Sequence, residues 1–122
     1  MLDDLARFLQ DNGVGTVGTT IFKSYVPKSP DNCVTIIDTG GPEQDPDIPN
    51  DFATFQVLVR NSNYNNGRTK IDAVKDALHQ VKNRTIGNNY YYYILAVSRG
   101  GHIGVNENGL DEFSINFRCR IR

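Results

Sequence analysis

The stretch Phe113-Ser114-Ile115-Asn116-Phe117-Arg118-Cys119-Arg120-Ile121-Arg122 alternates apolar and polar residues without a break. In an extended chain successive side chains point to opposite faces, so Phe113, Ile115, Phe117, Cys119 and Ile121 define one apolar face. The other face carries Ser114 and Asn116 and then three guanidinium groups in a row, from Arg118, Arg120 and Arg122. This run reads as a strand with a buried side, placed at the edge of a sheet or at an interface.

Working outward, Asn108-Gly109 suits a hairpin turn before that strand, while Gly100-Gly101-His102-Ile103-Gly104 argues for a longer, looser link. Tyr90 to Ser98 is β-prone with apolar residues on both faces, as a central strand requires. Ile71, Val74, Leu78 and Val81 recur at helical spacing, which predicts a helix over roughly 67–83, capped by Asn65 or Asn66. Phe52 to Arg60 alternates again, with Phe55, Val57 and Val59 on the core side. Before it, residues 39–51 hold two Gly and three Pro and belong to neither helix nor central strand. Thr20 to Val26 and Cys33 to Asp38 read as two extended runs forming a hairpin with a long connection. At the N-terminus Leu2, Leu5, Phe8 and Leu9 mark an amphipathic helix with Asp3 and Asp4 in its first turn, stopped by Asn12-Gly13. The expected order is α-β-β-β-α-β-β. That is an α+β fold, a single layer pair of about five antiparallel or mixed strands with two helices, in one domain over 1–122.

At 122 residues the chain suits one core. Thirteen Lys and Arg against 14 Asp and Glu leave a net charge of −1, without the strongly basic field that drives nonspecific nucleic-acid binding. No run approaches the ~20 apolar residues needed to span a bilayer, and the N-terminus has acids where a signal peptide has bases, so a cytoplasmic setting without membrane contact is expected. Cys33 and Cys119, far apart and each within a strand-like run, read as reduced core thiols. Asn83-Arg84-Thr85 matches a glycosylation acceptor only formally.

Patterns that carry chemistry fail on inspection. Asp45, Asp47 and Asp51 fall at positions 1, 3 and 7 of a calcium loop, but Asn50 replaces the required Gly and Gln56 the bidentate Glu. Gly40-Gly41-Pro42 lacks the Lys-Ser/Thr and the following helix of a phosphate cradle. His79 reads as a boundary residue, and His102, near Ser98 and Arg99, lacks a nucleophile elbow and an orienting third group. Glu43, Glu107 and Glu112 make no carboxylate pair that spacing alone identifies. The four tyrosines 90–93 suggest two rings packed inside and two on the other face, their stacking on single-stranded nucleic acid being the lesser reading. No catalytic residue, metal site or cofactor is expected.

Charge read locally is more informative. Asp31, Asp38, Glu43, Asp45, Asp47 and Asp51 fall in a stretch without a base, whereas Arg60 to Arg84 carries six bases against Asp72 and Asp76. Complementary patches repeated around an assembly set register and exclude wrong partners. The 39–51 loop is therefore expected to approach the Arg118, Arg120 and Arg122 face, or the second helix, of a neighbouring copy, with Asp38, Glu43, Asp45, Asp47 and Asp51 as the acids of that contact. Arg99, Gly100, Gly101 and His102 belong to a link expected to be mobile alone and ordered against a partner.

The opening Met-Leu-Asp-Asp-Leu-Ala-Arg-Phe-Leu-Gln-Asp-Asn-Gly-Val-Gly-Thr, then Pro-Asp-Asn-Cys-Val-Thr-Ile-Ile-Asp-Thr-Gly-Gly, Phe-Gln-Val-Leu-Val-Arg-Asn and Glu-Asn-Gly-Leu-Asp-Glu-Phe-Ser-Ile-Asn-Phe-Arg, resemble a bacteriophage minor capsid family related to the tail terminator proteins of long-tailed phages. The blocks follow the family order along nearly the whole chain; the Asn-rich turn at 61–67 and the tyrosine run depart from it. The resemblance implies a homohexameric ring at the head-proximal end of the tail tube that stops tube polymerisation and receives the filled head. It implies contacts with tube protein and a head-completion or connector protein, DNA only as passing cargo, a place in the virion and assembly in the host cytoplasm. The alternatives are a head-completion or connector protein itself, or a small-molecule-binding α+β domain.

Overall fold

A computed structural model of the chain describes residues 1–41 and 51–122. Helix α1 (Leu2–Asp11) is followed by β1 (Ile21–Lys23), β2 (Cys33–Gly40), β3 (Asp51–Asn61), α2 (Tyr64–Leu78), β4 (Val81–Ile86), β5 (Asn89–Ala96), β6 (Gly101–Val105) and β7 (Asp111–Ile121). The fold class is the α+β expected, with both helices. The sheet holds seven strands rather than about five, in the order β1-β2-β3-β7-β5-β4, with β6 alongside the first half of β7.

The centre of the sheet is the antiparallel pair β3 and β7, in unbroken register from Asp51 opposite Ile121 to Asn61 opposite Asp111. Phe55, Val57 and Val59 meet Phe117, Ile115 and Phe113 on the core face, all buried, and the rings of Phe55 and Phe117 stack with centroids 5.1 Å apart. The alternation of 113–122 is borne out, and of the two positions expected for it the edge is excluded: β7 is no edge strand. β3 flanks one side along its whole length, and β5 and β6 divide the other side between them. Two strands of the sheet are hard to see in the sequence, because β6 is Gly-rich and β4 lies where the second helix was expected to end.

Helix α2 starts earlier and stops sooner than 67–83. Asn63, not Asn65 or Asn66, is its cap, its side chain accepting from Asn66 N at 3.0 Å. Gln80, with φ of 65°, turns the chain out of the helix, so Val81 begins β4 instead of continuing the apolar stripe. β1 and β2 are not a hairpin: they pair in parallel, because Ser24 (φ 74°) ends β1 and the following segment returns to the same end of the sheet. A bulge displaces Tyr92, so the buried positions of β5 are Tyr91 and Ile94, three apart. One tyrosine is wholly buried, not two; Tyr90, Tyr92 and Tyr93 are half-buried.

Both helices lie on the core face of the sheet. Helix α2 crosses β3, β7 and β5 and buries Ile71, Val74 and Leu78, while α1 meets β1, β2 and β4, so the curled sheet brings its two ends to one helix. Side chains fasten it there: Asp3 pairs with Lys23 of β1, Asp4 accepts from Asn89 Nδ2 at 2.7 Å, and the Arg84 guanidinium of β4 lies 4.9 Å from the Phe8 ring centre. Gly67 allows the closest approach of α2, since a Cβ there would overlap Phe113 Cε2 and crowd Asn61. Cys33 and Cys119 are free and buried. Burial pushes Cys119 up to about 12 and raises Cys33 as well, Arg60 opposing part of the latter shift.

Two predictions follow from this packing. Ala at an exposed helix position normally gains about 1 kcal/mol over Gly. Gly67→Ala should instead destabilise by about 1–3 kcal/mol in urea unfolding, because the methyl must displace Phe113. In the unfolded chain the Cys119 thiol ionises near its ordinary value of 9.0, whereas the native thiol keeps its proton to about 12. Above the lower value the unfolded state binds fewer protons, so stability should fall as pH rises between the two, and fall less in Cys119→Ala.

Candidate functional site

Among the described residues no helix covers the second face of the sheet. Register places Phe52, Thr54, Gln56 and Leu58 of β3 beside Arg120, Arg118, Asn116 and Ser114 of β7, with Tyr93 and Leu95 of β5 next to Arg120 and Arg118. The sequence-level expectation of a guanidinium-bearing face holds, with a difference among the three groups. Arg118 and Arg122 are exposed, whereas Arg120 is half-buried. Its guanidinium carbon lies 5.3 Å from the Phe52 ring centre and 5.1 Å from that of Tyr92, two cation–π contacts that hold it against the sheet. Alternation from buried Tyr91 puts Tyr92 on this face, where its ring also meets Tyr90 edge-on at 5.2 Å, and the bulge in β5 adds Tyr93 to the same face beside Arg120.

The acidic partners are not gathered with the arginines within the described residues. Asp38 sits opposite Phe55, which places it on the helix-bearing face, and its carboxylate accepts from Gly40 N at 2.8 Å as a local turn. Glu43, Asp45 and Asp47 lie outside the described residues. Asp51 enters only through its backbone, paired with Ile121, which sets the exit of the 39–51 segment beside the end of the strand that bears the arginines.

The Arg99 to His102 stretch carries specific contacts. Arg99 is exposed, but the Gly100 carbonyl accepts from Arg68 Nη1 at 2.7 Å, and a Cβ on Gly100 would press on Ile71. Gly101 opens β6, opposite Ser114. His102 Nε2 lies 2.9 Å from Asp111 Oδ1, and its ring packs edge-on against Phe113 and Tyr64, each at 5.1 Å. A five-residue strand therefore occupies most of the region expected as a loose link. The other histidine caps α2, its Nδ1 accepting from Ala96 N at 3.0 Å, so a neutral His79 carries its proton on Nε2.

Residue-by-residue reading missed the apolar tip formed by Ile103 and Val105, each 60% exposed. A signal was present, since Ile103-Gly104-Val105 interposes only Gly between two β-branched residues. It also missed Arg60 as a buried residue: its guanidinium donates to the carbonyls of Pro30 at 2.7 Å and Asp31 at 3.1 Å, tying the loop before β2 to the end of β3.

The architecture is shared with a known assembly. A chain described as part of the virion of a native gene transfer agent (GTA) particle superposes with a TM-score of 0.70 at 18% identity, over 99% of this chain and 93% of that chain. At this identity the likeness is one of fold. No curated protein matches the sequence. Residues 8–122 do match the family of bacteriophage tail terminator proteins, and over that nearly complete span the chain belongs to this family, a structural family of phage tails.

Proposed function

We propose that this chain is the subunit of a hexameric ring at the head-proximal end of a phage tail tube, where it stops tube polymerisation and offers the surface that joins the head. The observation that carries this reading is membership of the tail terminator family over residues 8–122. The role asks for binding surfaces and no bond-making chemistry. Its partners are further copies of itself, tube protein and a head-completion or connector protein, with DNA passing through as cargo. Its place is the virion, after assembly in the host cytoplasm.

A closed ring needs a heterologous interface, two different patches meeting under a rotation that closes. A net charge of −1, assembled from an acid-only stretch and a base-rich remainder, suits contact between copies. In our reading the acidic side chains of Asp38, Glu43, Asp45, Asp47 and Asp51 in one subunit face Arg118, Arg120 and Arg122 of the next. Arg118 and Arg122 would meet them directly, while Arg120, held between Phe52 and Tyr92, supplies charge from a fixed position. The β6 tip, with Arg99 to His102 at its base and Ile103 and Val105 exposed, faces tube or head protein along the axis.

Native mass spectrometry with negative-stain imaging should show a closed ring of six. A stable monomer, or a ring that fails to arrest tube growth in vitro, would overturn the terminator reading, and arrest lost in favour of capsid-vertex binding would make the protein a connector. An exposed ion pair is worth only about 0–1 kcal/mol, but the loss recurs at every interface of the ring. Arg118→Glu with Arg122→Glu should leave circular dichroism native and shift the ring toward monomers; an undisturbed ring would refute the charge pairing. Amides of 101–105 should exchange more slowly in assembled tails than in the isolated protein, and equal rates would remove the axial role of the β6 tip.

A further inference from the structure

Arg118, Arg120 and Arg122 share one face of β7, yet they are not equivalent as binding groups. Arg118 and Arg122 are exposed, and an exposed arginine gives up its water and its rotamer freedom only when a partner arrives. Arg120 has lost much of both already. Register sets it in a row across four strands: Lys82 of β4, Tyr93 of β5, Arg120 of β7 and Phe52 of β3. The ring centres of Phe52 and Tyr92 lie 5.3 and 5.1 Å from its guanidinium carbon, and its Nε is buried with no acceptor among the described residues. Among those residues it forms no ion pair either.

Such a guanidinium is poorly satisfied in the free subunit. The two rings offset part of the lost hydration, but its planar fork of N–H donors, which matches a carboxylate bidentately, is unused. Among the described strand residues of this face the one carboxylate is Glu112, which lies opposite Arg60, about 26 Å back along β7. Around Arg120 the face carries Lys82, Arg118 and Arg122 instead. The complementary charge belongs to another part of the chain: Asp31 to Asp51 holds six carboxylates and no base.

We propose that Arg120 is the selective contact between copies, receiving a carboxylate of a second copy of this chain end-on through Nη1 and Nη2, with Phe52 and Tyr92 as positioning residues. The inference rests on the ring reading and refines it, since Arg118 and Arg122 supply attraction and Arg120 supplies geometry. A well-packed arginine fixed before contact carries a larger share of binding energy than mobile groups around it. A second copy is favoured over single-stranded nucleic acid because Phe52 and Tyr92 each have Arg120 against the ring, which diminishes the platform on which bases stack.

The test compares full-length variants by the salt concentration that halves the ring population in sedimentation and native mass spectrometry. Arg120→Lys keeps the charge and removes the fork, whereas Phe52→Leu keeps every charge and frees the guanidinium. Each should weaken subunit association about tenfold or more with the melting temperature of the isolated subunit unchanged, and Arg118→Lys less than about twofold. Equal effects of Arg120→Lys and Arg118→Lys, or none from Arg120→Lys, would reduce the contact to unselective charge and overturn the inference while the ring stands. An isolated subunit that melts lower in Arg120→Lys than in the wild type at low salt, and equally at high salt, would assign the carboxylate to the same chain. An oligothymidine that binds the wild type and competes with ring formation would assign the face to nucleic acid. Either result overturns the inference, and a wild-type chain that forms no ring overturns the ring reading together with it.

Discussion

The eleven-residue pairing of β3 with β7 is the constraint on which the other elements depend. Its core side stacks Phe55 on Phe117 and lines up Val57, Ile115, Val59 and Phe113 beneath α2. A slip of one residue would turn Arg118 and Arg120 into the core and Phe117 and Cys119 out of it, a cost no surface contact offsets. The register is therefore fixed from both faces at once. β2 then extends the sheet from β3, and β5 and β6 share the remaining side of β7.

What this pair does not determine, α1 does. The sheet curls until β1 and β4, at opposite ends of the strand order, both reach the first helix. Asp3 and Asp4 favour the positive end of the helix dipole and also hold Lys23 and Asn89 from the two ends of the sheet. The helical face and the open face are thus products of one curvature. On the open side Tyr92 supplies one of the two rings that hold Arg120 down, and the bulge there brings Tyr93 to the same face.

The parts of the fold legible in the sequence are those with strong periodicity under burial. α1, β3 and β7 stand out because each has one face in the core, and the pattern survives translation into spacing. β4 was hidden because Lys82, Asn83, Arg84 and Thr85 are all exposed, and an edge strand of polar residues has no alternation to read. β6 was hidden by its glycines. The parallel pairing of β1 depends on a left-handed Ser24, which composition does not announce. The arginine face was legible as a face, though not the aromatic clamp on Arg120, which needs Phe52 from one strand and a displaced Tyr92 from another.

Among the described residues the outer strands β1, β4 and β6 differ in how their free edges are blunted. β1 is three residues long, β4 carries Asn83 at φ 49° opposite the displaced Tyr92, and β6 is interrupted by a bulge before Gly104. None presents a long, flat row of unpaired main-chain groups, the generic surface by which strands of unrelated chains adhere. Main-chain pairing is indifferent to sequence, whereas side-chain recognition is not. Any contact this sheet makes with another chain therefore rests on the identities of side chains, and a surface substitution changes selectivity where in a flat-edged sheet it would change little.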